Sequence, residues 1–174
     1  MIVFSSTFNS DDVQVRLEFD EYIPFSVTTR KGLLGAKYLR LGDFERNLLE
    51  IMLDPISFAV RGLTLVCFDS LHIPAVKRVL PEQVGLPVLD LHDSQLSELL
   101  DRPWAELKAN FTLGISNDFA ELDLYGIAGS DNVIRSERLE FYCRDKVLLG
   151  IRLSHLKSNE IFALQTHASL IEQS

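Results

Sequence analysis

The stretch Leu49-Glu50-Ile51-Met52-Leu53, returning as Arg61-Gly62-Leu63-Thr64-Leu65, decides how this chain is read. A second form follows later: Leu139-Glu140-Phe141-Tyr142-Cys143, returning as Leu149-Gly150-Ile151-Arg152-Leu153. Each pair alternates apolar and polar residues, the pattern of a half-buried antiparallel hairpin. In a hairpin, residues facing one side pair with residues facing that side, so alternation restricts the register. Leu53 opposite Ala59 sets Leu49 on Leu63 and Glu50 on Gly62. Cys143 opposite Val147, across a loop of Arg144 to Lys146, sets Leu139 on Ile151 and Glu140 on Gly150. The same Glu then faces the same Gly twice, which predicts an internal repeat.

Working outward, Met1 to Phe8 reads as a strand, Asn9 to Asp12 as a turn and Val13 to Phe19 as a second strand. Val15 to Phe19 matches Ala120 to Leu124 and extends the repeat. Glu21 to Gly42, with Pro24, Gly32 and Gly35, reads as irregular. Residues 43–53 admit two readings, a helix capped by Asp43 or a strand over 48–53, and the repeat favours the strand. Pro74 to Leu80 reads as a short helix and Pro87 to Leu91 as extended. A helix capped by Asp93 or Ser94 runs through Leu100, and Asp101 starts another with Trp104 and Leu107 turned inward. Strands follow at Phe111 to Ile115, Phe119 to Ile127, Arg138 to Cys143 and Val147 to Leu156, with Ser130-Asp131-Asn132 as a turn. Residues 160–171 fit a strand or a helix with Ile161, Leu164, Ala168 and Ile171 on one face. The fold class is therefore α+β and β-rich: two antiparallel strand-plus-hairpin units, 1–69 and 111–157, forming a sheet or half-barrel. A short helical insert at 70–110 joins them in one domain, 1–174.

At 174 residues with a hydrophobic fraction of 47%, the chain can bury a core and is not compositionally disordered. No apolar run reaches the length of a membrane-spanning helix. Met1-Ile2-Val3-Phe4 has no basic segment and reads as a strand, not a leader. Cys67 and Cys143 sit in apolar runs, the usage of reduced core thiols in a cytoplasmic protein. The net charge of −8 opposes binding to nucleic acid or an anionic membrane, both of which demand excess Lys and Arg. It suits a basic protein partner.

Asp90-Leu91-His92-Asp93, with Asp69 and His72, is the best candidate for a metal or acid/base site. No second His stands at a ligand spacing, and Asp93 reads better as a helix cap. Ser130-Asp131-Asn132 with Ser154-His155-Leu156-Lys157 echoes two elements of penicillin-recognising enzymes, in reversed order and without the third. Cys67 beside His72 lacks the exposed, electropositive setting of a thiol nucleophile. Gly32-Leu33-Leu34-Gly35, beside Arg30, Lys31 and Lys37, lacks the glycine spacing of a phosphate cradle. Glu121, Asp123, Glu137 and Glu140 form the densest acidic patch on predicted strands. No catalytic residue, metal site or cofactor is expected.

Strands ending in Asp54-Pro55 and returning through Gly62-Leu63-Thr64-Leu65, in a small acidic chain, resemble cytoplasmic immunity proteins of bacterial toxin systems, contact-dependent growth inhibition among them. The resemblance spans the two hairpins. It implies a non-enzymatic protein that neutralises one toxin domain, often a basic nuclease, by direct contact. Glu121, Asp123, Glu137 and Glu140 are the expected partner-binding residues. The alternative is a small enzyme or ligand-binding domain with a site near Asp69, His72, Asp90 and His92.

Overall fold

Period-two alternation dominates the folded chain, seen in a computed structural model that describes residues 1–8, 15–20, 22–29, 34–74, 78–92 and 95–171. In chain order the elements are β1 (Phe4–Phe8), β2 (Arg16–Glu18), β3 (Phe25–Thr28), β4 (Lys37–Gly42), β5 (Leu48–Leu53), β6 (Val60–Cys67), β7 (Leu71–His72), β8 (Glu82–Val84) and β9 (Leu86–Leu89). Then come α1 (Glu98–Asp101), β10 (Trp104–Lys108), β11 (Thr112–Ile115), β12 (Ala120–Asp123), β13 (Asn132–Ser136), β14 (Leu139–Arg144), β15 (Val147–Leu153) and α2 (Ser158–Ile171). The protein is β-rich and α+β.

The described strands form a first sheet, β10-β4-β5-β6-β3-β2, a second, β7-β11-β12-β15-β14-β13-β8, and a β1–β9 pair. In both large sheets a strand from the connecting segment adds in parallel to one side, β10 on β4 and β8 on β13; the remaining pairings are antiparallel, except for the short parallel strand β7 on β11. The hairpins pair alike: Ile51 with Leu63 and Phe141 with Ile151, Glu50 with Thr64 and Glu140 with Arg152.

The expected pairs Glu50–Gly62 and Glu140–Gly150 do not form. Gly62 lies opposite Met52, and Gly150 opposite Tyr142. Each hairpin closes one residue later than expected, with Leu53 on Val60 and Cys143 on Leu148, and each then carries a bulge. A bulge adds one more residue to one strand, so beyond it the total slip is two and the side chains there keep their predicted face; between turn and bulge Val60 and Leu148 take the places expected of Ala59 and Val147. The β14–β15 turn is the two residues Asp145-Lys146, both at positive φ (49° and 67°), not three. Those angles belong to the tight turn whose twist matches a hairpin.

Other expectations are also corrected. Val15 to Phe19 does not take the place of Ala120 to Leu124: β2 pairs with β3 as β11 pairs with β12. The stretch 21–42 contains β3 and β4, and 43–53 resolves as a strand over 48–53. Asp43 does cap, accepting from the N–H groups of Glu45, Arg46 and Asn47 in the bend before β5. Among its described residues the 70–110 insert is mostly strand and loop rather than the helices expected. It supplies β7 to β10 and the four-residue α1, and Pro74 and Arg78 to Leu80 are not helical. Trp104 to Lys108 is a strand because Ala105 and Leu107 alternate inward, whereas Trp104 is half exposed. Residues 160–171 are helical. The expected turn at 9–12, the basic residues Arg30 and Lys31, and the Asp93 or Ser94 cap lie outside the described residues.

One hydrophobic cluster takes its members from both large sheets, including Leu39, Ile51 and Leu63 from the first and Leu122, Phe141 and Ile151 from the second. Between them Phe4 meets Phe141 edge to face at 6.2 Å. The β1–β9 pair ties the sheets together: Val3 bridges to Val147, and Val88 to Ala59. Ile161, Leu164 and Ala168 of α2 join the same core. Arg138 fastens that helix, donating to Glu160 and to the carbonyls of Ser154 and His155.

Both thiols are free, but only Cys143 is fully buried; Cys67 is partly exposed, against expectation. Burial, with Asp131 nearby, pushes the Cys143 thiol up to about 12. Burial and the charge of Asp43 also raise that of Cys67.

Candidate functional site

The outer faces of the two large sheets carry polar residues at matching register positions, and the two faces have different fates. Across the second sheet one row runs His72, Gly114, Glu121, Arg152, Glu140, Arg135. Opposite charges on directly paired strand residues attract, and here their signs alternate. Arg152 Nε donates to Glu121 Oε2 at 3.1 Å, and its guanidinium lies 4.2 Å from the Phe119 ring centroid and 5.0 Å from that of Tyr142. Tyr142 donates its hydroxyl to Glu140 Oε2 at 2.6 Å. Arg135 links Glu140 to Glu82, at 3.2 and 2.7 Å. Burial, then the bond to the Glu140 carboxylate, pushes the Tyr142 phenol far above its ordinary range.

The middle of this row, Glu121, Arg152 and Glu140, is buried where the chain folds its own segments over it. A 3₁₀ turn at Ile127–Gly129 lays Ile127 on Gly150, where an added Cβ would come within 2.8 Å of the Ile127 side chain. Leu80 packs beside Ile127, Val133 and Tyr142 in a small second cluster. Arg78 anchors that flap on the Ser130 carbonyl. At the sheet's end His72 lies over Gly114, its Nε2 3.0 Å from Glu121 Oε1 and its Nδ1 3.0 Å from the Thr112 hydroxyl. Hydroxyl, imidazole and carboxylate in series can pass a proton. Glu121 is also held by Arg152, so the carboxylate at the end of that series is shared with a guanidinium.

In the first sheet the matching row is Glu106, Arg40, Glu50, Thr64, Ser26, Glu18. Arg40 again bridges two carboxylates, Glu50 at 3.2 Å and Glu106 at 2.6 Å. Thr64 stands where the second sheet has Arg152, and Ser26 where it has Glu121. Their hydroxyls are 3.2 Å apart. Nothing described covers this face as Ile127 covers the other: Arg40 and Glu50 keep 31% of their side-chain surface and Trp104 half of its own. Trp104, Tyr38 and Met52 lie in one row beside the charges. Trp, Tyr, Met and Arg are the residues enriched in protein interfaces.

The residues expected to bind a partner are not gathered on one exposed face. Glu121 and Glu140 are fully buried in the ion-pair row. Asp123 is half-buried and accepts from the N–H groups of Gly126 and Ile127; Glu137 is exposed and accepts from Val15 N at 2.6 Å. Alternation put Glu121, Asp123 and Glu140 on an outer face correctly, but could not show that the face is covered; Glu137 lies in the turn between β13 and β14 instead. The alternative site does not assemble either. Asp69 accepts from Asn47, His72 turns to Glu121, and His92 is fully exposed 4.0 Å from Asp90. Among the described residues no three His, Cys, Asp or Glu side chains gather as metal ligands would. Sequence reading missed Trp104, Tyr38 and Arg40. The period-two alternation of Lys37 to Leu41 was the signal that could have found the last two.

No protein-family model matches the chain, and a search of curated proteins finds no similar sequence.

Proposed function

We propose that this chain is a non-enzymatic binding protein of the immunity type, neutralising a basic bacterial toxin domain by direct contact in the cytoplasm. The observation that carries the reading is the open outer face of the first sheet, where Trp104, Tyr38, Met52 and Arg40 lie together. The net charge of −8 adds the long-range attraction that speeds encounter with a basic partner. We also propose that the two large sheets are two copies of one strand-plus-hairpin unit. The first copy keeps its outer face for the partner, and the second has closed its own.

The test is co-expression with the variable C-terminal domain of a large secreted protein encoded beside this chain. The reading requires rescued growth and an equimolar complex on gel filtration. Continued killing by the toxin domain, with the chain abundant and folded, contradicts it.

The Thr112–His72–Glu121 series favours a second reading, a small hydrolase. That reading requires an activity in the purified chain that Thr112→Val abolishes.

A further inference from the structure

Resting on the binding reading, we infer that the open face of the first sheet takes an arginine-bearing segment of the partner. The arginine enters the groove over Ser26 and Thr64, with an apolar residue beside it.

The protein supplies the template. In the second sheet, the positions matching Thr64 and Ser26 hold Arg152 and Glu121, and Ile127 sits over the matching glycine. In the first sheet those positions carry two small hydroxyl side chains, and the space above them is a groove of about 520 Å³. Its lining is Glu18, Phe19, Asp20, Ile23, Ser26 and Thr64. That lining suits a guanidinium: two carboxylates for charge, two hydroxyls as acceptors, and apolar surface from Ile23 beside them.

The charges agree. The row across the first sheet holds Glu106, Glu50 and Glu18 against Arg40, an excess of two negative charges. Glu18 also pairs with Arg16, but both side chains are more than half exposed, so solvent screens that pair and an incoming arginine can compete. An arginine over Thr64 would restore beside Glu50 the alternation that Arg152 provides beside Glu140. The apolar neighbour would rest on Met52, whose terminal methyl lies over Gly62 as Ile127 lies over Gly150.

The probe is the peptide acetyl-Ile-Arg-Ile-amide, titrated into isotope-labelled protein and followed by amide chemical shifts. Expected are concentration-dependent shifts confined to Phe19, Ile23, Ser26, Thr64 and their neighbours. Acetyl-Ile-Gln-Ile-amide should bind about tenfold more weakly, the worth of one partly screened charge pair. Glu18→Gln with Asp20→Asn, both at exposed positions, should give a similar loss while the rest of the spectrum is unchanged. Equal binding of the two peptides, shifts located elsewhere, or no shift into the millimolar range each overturns the inference. A chain that still rescues cells and forms its toxin complex, yet fails these titrations, keeps the binding reading and loses the groove. A chain whose groove takes the arginine peptide but which gives no rescue keeps the groove and loses the immunity reading.

Discussion

Gly62 and Gly150 show at single-residue scale why the two hairpins share their pairing. A Cβ on Gly62 would stand 2.6 Å from the Val27 carbonyl oxygen, and one on Gly150 2.7 Å from that of Leu122. Real Cβ atoms do not approach backbone that closely, so the neighbouring strand must move. Gly62→Ala and Gly150→Ala should each cost about 1–3 kcal/mol in urea unfolding, the usual range for overpacking. A loss in one position only would mean that the two glycines do different jobs. Arg152 is the other decisive residue. Replacing it by Met leaves the Glu121 carboxylate buried without the guanidinium it pairs with, which should cost about 3–5 kcal/mol. Unchanged stability would contradict that role for the pair. The sequence displayed these residues but not their setting: Glu140 and Glu50 look alike as letters. One is buried because Ile127 and Leu80 arrive from distant parts of the chain.

Among the elements, α2 carries a pH-sensitive fastening. Burial alone would raise the carboxyl of Glu160, but its bonds to Arg138 and to the Lys157 N–H outweigh that and hold it below its ordinary value. A carboxyl lowered on folding stabilises fully above its unfolded value of 4.5 and loses that contribution as pH falls through the folded value. Glu160→Gln should therefore destabilise at pH 7 by about 1–3 kcal/mol, the range for a hydrogen bond to a charged group. The gap between variant and parent should close below pH 4.5, because the parent then loses the same charge. A constant gap across that range would assign the effect to packing. Element types were legible where alternation ran long, as in β5, β6, β14 and β15. They were not legible in β10, where five residues follow an Asp-x-Pro start that also suits a helix. Its partner β4 lies far away in sequence, so no local signal could announce the parallel pairing.

For the whole molecule, alternation and composition gave the β-rich α+β class, while the register they gave for the two hairpins was two residues off. Of the residues expected to bind a partner, Glu121 and Glu140 are buried in the second sheet. A strand pattern says which side chains share a face; whether that face is open depends on what folds over it. The central claim is that the first sheet's outer face is the one that meets a partner. Trp104 is the chain's single tryptophan and is half exposed on that face, so 5-fluorotryptophan labels it uniquely. The decisive measurement is the ¹⁹F resonance of Trp104 in H₂O and in D₂O, for the free protein and for its complex with a toxin domain that co-expression shows it to neutralise. The account predicts a solvent-isotope shift in the free protein that is lost in the complex, as the ring leaves water. A complex that forms while Trp104 keeps both its resonance and its isotope shift would place the interface elsewhere and contradict the claim.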